Sequence, residues 1–229
     1  MIFMYHPLDP MKAKAYNNKA KPTALSPHGG TAVLEGKPKR VIVFVDGSNW
    51  YHKLKKLLNA NRNATKDEMK PPVDFDLRAF AKEMASPDTL TDIRYYIGKV
   101  RRIRGDDKSE LLYANQQRLI AFLQQQQIQL GFGNLISYPD GSYHEKGVDI
   151  LLAVEMIRLG LEKKYDVAYL LSSDTDLVPA VEECRRLGRE VVYVGCSLHG
   201  QSFGLTKACN RTILLQTKDV TPYVPPKLL

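Results

Sequence analysis

Four aspartates stand where apolar segments typical of buried strands end or where a helix begins. Asp46 comes directly after an apolar run of five residues, and Asp174 and Asp176 follow a second apolar run. Asp149 opens an apolar helical stretch. Carboxylate oxygens are the ligands that Mg²⁺ and Mn²⁺ prefer, and carboxylates brought together repel one another until a cation arrives. The pattern therefore predicts a divalent-metal site that could support phosphodiester hydrolysis.

Each of these acids also has a structural explanation. Asp46 could serve a turn or cap a helix, but its place after a fully apolar run favours function. Capping the next helix needs only one of Asp174 and Asp176, so the pair favours at least one ligand. Asp149 suits the first turn of a helix through the helix dipole alone. Asn49 either caps a helix or orients a water or a carboxylate, and the sequence does not separate the two.

Strand and helix signals alternate along most of the chain. Apolar and β-rich segments predict strands at 41–45, 93–100, 128–138, 167–172, 190–194 and 213–215. Periodicity and capping residues predict helices at 50–59 (capped by Ser48 or Asn49), from Asp74 or Asp76 to Ala85, at 106–127, at 148–161 and at 177–187. Apolar strands alternating with helices indicate an α/β protein with a parallel sheet covered by helices. Ligands of such sheets bind beyond the carboxyl ends of the strands, where these acids are expected.

The composition is that of a globular protein of a reducing, cytoplasmic environment. The chain has 229 residues and three cysteines, without a C-x-x-C pair, which predicts buried free thiols. No apolar run approaches the length of a membrane span, and no secretory signal is apparent. Residues 1–40 hold seven Lys/Arg and two acids, so +5 of the net charge of +8 lies there. Residues 1–39 are expected to form a flexible basic tail, and residues 217–229 an extended end.

A local basic cluster is more informative than the net charge. Lys99, Arg101, Arg102 and Arg104 fall within six residues, and Lys146 stands beside the acidic block around Asp149. Such a cluster could bind phosphates, and a solvated turn is the alternative.

Other chemistries lack the residues they need. The histidines show no metal-ligand or catalytic-triad spacing, and no phosphate-binding or dinucleotide-binding glycine loop is present. An adhesion-type D-x-S-x-S metal loop would need serine where Trp50 stands. A phosphatase with a nucleophilic aspartate would need a second acid two residues after Asp46, where Ser48 stands.

Three blocks of the sequence resemble, in this order, the NYN domain, a branch of the PIN-like nuclease superfamily, and they are most similar to its LabA-like group. The blocks are 43–49 (VFVDGSN), 146–149 (KGVD) and 172–179 (SSDTDLVP). The resemblance covers residues 40–216. It implies a three-layer α/β/α Rossmann-like sandwich with a mainly parallel sheet, and a metal-dependent endonuclease that cleaves RNA or single-stranded nucleic acid.

The resemblance also implies roles for individual residues. Asp46, Asp149, Asp174 and Asp176 would form the acidic catalytic site and hold Mg²⁺ or Mn²⁺, accompanied by Asn49. A metal-activated water would attack in line and leave a 5′-phosphate and a 3′-hydroxyl.

Substrate contacts are expected from the basic cluster and from exposed rings. The expected RNA-binding residues are Lys99, Arg101, Arg102, Arg104 and Lys146. Trp50, Tyr51 and Tyr143 could stack on bases, although buried packing is favoured for Trp50.

Some positions depart from the family pattern. Ser173 replaces a usual glycine and Leu177 a usual phenylalanine, changes that should leave the acids in place. Glu155 and Asn210 stand where aspartate is common, and Asn210 removes a charge.

Because several relatives bind RNA without known cleavage, the alternative is a non-catalytic RNA-binding or assembly module on the same fold. The oligomeric state is open, and a homo-oligomer is among the alternatives.

Overall fold

The computed structural model of the protein describes residues 37–60, 74–137, 143–198 and 200–225. Within them, seven strands form one sheet: β1 (Arg40–Asp46), β2 (Thr89–Lys99), β3 (Gln129–Ser137), β4 (Tyr143–Lys146), β5 (Val167–Leu171), β6 (Glu190–Cys196) and β7 (Arg211–Leu215). The helices are α1 (Gly47–Asn59), α2 (Leu77–Ala85), α3 (Asp107–Gln125), α4 (Val148–Leu161), α5 (Val178–Arg186), α6 (Phe203–Ala208) and α7 (Thr217–Val220). The element order confirms the alternation that the sequence predicts.

The strand order places β1 at the centre of the sheet. The order is β4-β3-β2-β1-β5-β6-β7, and all neighbours pair in parallel except β3 and β4, which are antiparallel. From β1 the chain extends first to one side of the sheet, through β2 and β3, and later to the other, through β5 to β7. The topological switch therefore lies between β1 and β5, where ligands of open α/β sheets bind.

Both faces of the sheet are covered, which gives the predicted three layers. One apolar core packs side chains such as Trp50 and Phe80 against one face, and a second packs Leu152, Met156 and Val181 against the other. The strands β1, β5 and β6 are buried on both faces, which explains their continuous apolar runs. The three cysteines are buried and unpaired, as predicted. No helix of the described residues is long and apolar enough to span a bilayer.

The turn from β1 into α1 depends on a glycine. A Cβ on Gly47 would lie 2.5 Å from a ring carbon of Tyr95 and 2.7 Å from the carbonyl oxygen of Tyr96. Because only glycine avoids this clash, α1 can begin against β2 immediately after the strand ends. The close start of α1 keeps its first turn beside the carboxyl edge of the sheet.

The structure also differs from the sequence predictions at three places. Residues 217–223 form α7 and a 3-10 turn where an extended end was expected, because Val220 is buried and Tyr223 packs on Phe80. The strand β4 and the helix α6 were not predicted. Most of the expected basic tail, residues 1–36, and the last four residues lie outside the described residues.

Candidate active site

The aspartate at the end of β1 joins that strand to α1 and β5. Asp46 is 5% exposed. One carboxylate oxygen accepts the Asn49 N–H at 3.0 Å, and the other accepts the Ser172 hydroxyl at 2.9 Å. Asp46 is therefore the N-cap of α1, and the prediction of Ser48 or Asn49 as the cap is wrong, because the helix begins directly after the strand. Each oxygen of Asp46 keeps a further lone pair for a ligand.

The Asn49 side chain is held by two donors. Its carbonyl oxygen accepts the Lys53 ammonium at 2.6 Å and the backbone N–H of Ser173 at 3.1 Å. Both bonds fix which way the amide is turned, so its NH₂ group is directed away from these donors. The Asn49 side chain therefore does not cap the helix, and the other explanation, that it orients a water or a carboxylate, stays a prediction.

The acidic turn after β5 is built on hydrogen bonds among its own members. Asp174 accepts the backbone N–H of Asp176 at 2.9 Å, and its own N–H donates to the Ser172 hydroxyl at 3.1 Å. Asp174 therefore caps the 3-10 turn Thr175–Leu177, which confirms that one member of the pair serves as a cap. Asp174 is half-buried beside Asp46, and Asp176 is exposed.

The four predicted aspartates converge at the carboxyl edge of the sheet. Burial and, in decreasing order, the charges of Asp46, Asp174, Glu145 and Asp176 together raise the pKa of Asp149 to about 6. These charges reach Asp149 because α4 begins at the same edge at which β1 and β5 end. The neighbourhood is therefore strongly negative.

Glu145 is a fifth acid that sequence reasoning missed. Its carboxylate accepts the backbone N–H of Gly98 at 2.8 Å, and burial, followed by the charge of Asp46, raises its pKa. Glu145 reaches the site because β4 folds back antiparallel beside β3. Its position directly before the Lys146–Asp149 block was the signal available in the sequence.

Lys53 is the second residue that sequence reasoning missed. The side chain is 5% exposed, and burial lowers its pKa to about 8, while the charge of Asp46 acts in the opposite direction. In sequence, Lys53 lies four residues after Asn49 and seven after Asp46, a spacing that places them on one face of α1. That spacing could have indicated a buried cation at the site.

This edge of the sheet offers carboxylate oxygens, which are the ligands that a hard divalent cation prefers. In the described residues no three His, Cys, Asp or Glu side chains are grouped closely enough to hold a metal ion. The charges of the other acids reach Asp149, but the described carboxylates are not gathered into a ligand shell.

The predicted RNA-binding residues lie at the same edge of the sheet. Lys99 ends β2, the strand next to β1, and the three arginines follow it on an exposed turn. Arg102 pairs with Glu110 at 3.3 Å. Lys146 is exposed at the end of β4, where Asn134 of β3 pairs with it. Their role as RNA contacts stays a prediction.

Of the rings considered for base stacking, only one is open to solvent in the described structure. Trp50 is buried and stacks on Phe80, as favoured from the sequence. Tyr51 is 41% exposed. The side chain of Tyr143 lies outside the described part of the chain.

Two departures from the family pattern fall outside the site. Glu155 accepts the Tyr96 hydroxyl at 2.7 Å and the Arg94 guanidinium at 3.0 Å, which makes it a structural partner of β2. Asn210 bonds through its side chain to the backbone N–H of Val191, at the start of β6 and therefore at the opposite edge of the sheet. The charge that Asn210 lacks is consequently remote from the acids.

The fold and the site together define the class of protein. It is an α/β protein whose sheet is covered by helices on both faces, with acidic side chains at the topological switch. The NYN domain family model matches residues 40–216, and the chain belongs to this family, which lies within the PIN-like nuclease superfamily. Nuclease activity, divalent-metal use and a nucleic-acid substrate are general properties of that superfamily. None of the curated proteins matches the chain.

A solved structure shares the fold. A protein of unknown function from Vibrio parahaemolyticus RIMD 2210633 superposes with a TM-score of 0.53 at 17% sequence identity. The alignment covers 80% of this chain and 96% of that chain. At this identity the likeness supports the architecture alone.

Proposed function

We propose that this protein is a metal-dependent ribonuclease, an endonuclease acting on RNA or single-stranded nucleic acid. The observation that carries the proposal is the convergence of carboxylates, which together with burial raises the pKa of Asp149 to about 6. Gathering acids in this way costs folding stability, so it favours a functional use. Asp46, Asp149, Asp174 and Asp176 are proposed to hold Mg²⁺ or Mn²⁺.

The bound cation would polarise the phosphoryl group, lower the pKa of water and stabilise the departing oxygen. The chain's own residues would orient the reactants. The Asn49 amide, with its carbonyl fixed by Lys53 and Ser173, can donate to a phosphate oxygen or to a water. The first amides of α4 have no side-chain cap and can donate to a phosphate. Water adds to phosphorus and the bond to the 3′ oxygen breaks, so that oxygen receives a proton and a 5′-phosphate remains.

The basic cluster suits a substrate that crosses this edge of the sheet. Lys99, Arg101, Arg102, Arg104 and Lys146 are exposed, so each can pair with a phosphate at little desolvation cost. We propose them as the contacts that hold the strand beside the carboxylates.

Two finer assignments follow from the sequence. We propose that the chain belongs to the LabA-like group, with residues 40–216 as the catalytic domain between a basic N-terminal tail and a short C-terminal segment. The buried free cysteines suit a reducing compartment, and we propose a cytoplasmic location.

One observation favours a second candidate, a non-catalytic RNA-binding or assembly module. Among the described side chains no group of three potential ligands is close enough to hold a metal. A module of this kind would keep the basic cluster and lack a working ligand shell.

The deciding experiment measures cleavage of an end-labelled single-stranded RNA in Mg²⁺ or Mn²⁺, with EDTA as the metal-free control. The variants are Asp46→Asn and Asp174→Asn. Asp166→Asn is the matched control, because Asp166 precedes β5 at the opposite edge and pairs there with Arg40. Circular dichroism of each variant checks that it folds.

Metal-dependent cleavage that is lost in both site variants and kept in Asp166→Asn supports the nuclease. Binding without cleavage in any metal, unchanged by Asp46→Asn, supports the non-catalytic module instead. Cleavage that survives in EDTA would show that the carboxylates are not metal ligands for this reaction.

A further inference from the structure

The most exposed large apolar side chain of the described residues stands beside the acidic turn. Phe203, the first residue of α6, is 83% exposed, compared with 70% for Ile150, the next most exposed. Because the ring is open to solvent, its apolar face is available to a ligand that packs on it.

Phe203 is close to the acids because its neighbour packs on their turn. A Cβ on Gly204 would lie 3.2 Å from the methyl group of Thr175, the residue between Asp174 and Asp176. Glycine at this position lets the start of α6 approach the turn. The backbone of Phe203 therefore lies next to the turn that carries Asp174 and Asp176, at the rim of the proposed active site.

A chain of hydrogen bonds fixes this approach. The Ser173 and Tyr193 hydroxyls bond at 2.8 Å, and the backbone N–H of Ser202 donates to the Tyr193 hydroxyl at 3.0 Å. Ser202 in turn caps α6 by accepting the Leu205 N–H at 3.2 Å. The backbone that carries Phe203 is thus tied to the turn that carries Asp174, while the ring itself is free to meet a ligand.

We propose that Phe203 is a base-stacking subsite, which receives an unpaired base of the nucleic-acid strand bound at the carboxylates. This inference rests on the proposed function and narrows the substrate class to single-stranded nucleic acid. A ring stacks on the face of any base, whereas in a duplex both faces of each base are covered by its neighbours. The basic cluster after β2 lies across β1 from α6, so a strand reaching from one to the other passes the acids.

The test measures binding in EDTA, so that it does not depend on cleavage. A fluorescent single-stranded oligoribonucleotide is titrated with the wild-type protein, Phe203→Ala and Phe203→Trp, and anisotropy gives the dissociation constant. The matched control is Phe132→Ala, which removes a 41% exposed ring on β3, separated from β6 by three strands. Each titration is repeated with an oligomer of the same length whose nucleotides are abasic.

Phe203→Ala is expected to raise the dissociation constant about 5- to 150-fold, the range for losing one base–aromatic stack. The dissociation constants of Phe203→Trp and of the control Phe132→Ala should stay near that of the wild type. The abasic oligomer should bind wild type and Phe203→Ala equally. Unchanged binding by Phe203→Ala, or the same loss with the abasic oligomer, overturns the subsite, and failure of wild type to bind either oligomer overturns it as well. Binding that follows the expected pattern in a protein that never cleaves would leave the subsite standing and refute the nuclease alone.

Discussion

Replacing Lys53 with methionine should stabilise the protein and impair its activity. Burial lowers the pKa of Lys53 from 10.5 to about 8. At pH 7 the ammonium is charged in both states, but it is buried in the folded chain and hydrated in the unfolded chain, which makes folding less favourable. The shift corresponds to about 3 kcal/mol of lost stability. Methionine fills similar space without a charge. It also removes the hydrogen bond to Asn49, worth about 1 kcal/mol, while the Ser173 N–H still satisfies the Asn49 oxygen.

At pH 7, Lys53→Met should therefore raise the free energy of unfolding by about 2 kcal/mol, or Tm by about 4–8 °C for a chain of this size. The direction of the pH dependence follows from the lowered pKa of Lys53, which is a base. Below pH 8 the folded state bears the whole penalty, and between about pH 8 and 10.5 the folded Lys53 loses its proton while the unfolded one retains it. The wild-type protein should gain stability through that window, and the advantage of Lys53→Met should shrink.

Lys53→Met should lower the activity, because the Asn49 amide loses the ammonium that fixes its orientation. A loosely held orienting group is expected to lower kcat about 10- to 100-fold with little change in KM. Urea unfolding at pH 7 and pH 10 measures the stability, and single-stranded RNA cleavage measures kcat. Lys56→Met, an exposed lysine of the same helix, is the control and should change stability by less than about 0.5 kcal/mol. A Lys53→Met protein less stable than wild type at pH 7 would refute the reasoning.

Three further variants test other parts of the site. Gly47→Ala places a methyl group against Tyr95 and should lower the free energy of unfolding by about 1–3 kcal/mol, as measured by urea titration. Asp149→Asn should stabilise the metal-free protein by about 1–2 kcal/mol at pH 7.5 in EDTA. Burial and neighbouring carboxylates raise the pKa of Asp149 from 3.8 to about 6, which corresponds to about 3 kcal/mol, and solvent around this half-buried side chain screens part of that. That gain should be absent below pH 4, where Asp149 is protonated in both states, and should grow between pH 4 and 6. Arg101→Ala with Arg104→Ala should leave the Tm unchanged and reduce the salt dependence of RNA binding by about 0.7 in slope for each phosphate that the variant no longer neutralises.

The sequence by itself determined most of the scaffold. The apolar run before Asp46 and the one before Ser172 predicted strands buried on both faces, because only helices on both sides of a sheet make such runs favourable. The helix 148–161 was predicted with its observed bounds, since its apolar residues and the preceding Gly147 mark it locally. With strands and helices alternating, the rule that ligands bind at the carboxyl edge was enough to bring the four aspartates to one place.

The tertiary structure decided which residues from segments far apart in sequence reach the candidate site. Lys53 lies in a run of lysines and leucines that is typical of a solvated helix face, and only the packing of α1 against the sheet shows that this one lysine is buried. Glu145 reaches the acids through the antiparallel pairing of β4, a short polar strand without the apolar pattern that marks the others. Phe203 lies near the acidic turn because hydrogen bonds through Tyr193 join Ser173 to the start of α6. Local periodicity reports which face of an element is apolar, whereas these contacts join residues far apart in sequence, so their geometry exists only once the sheet has assembled.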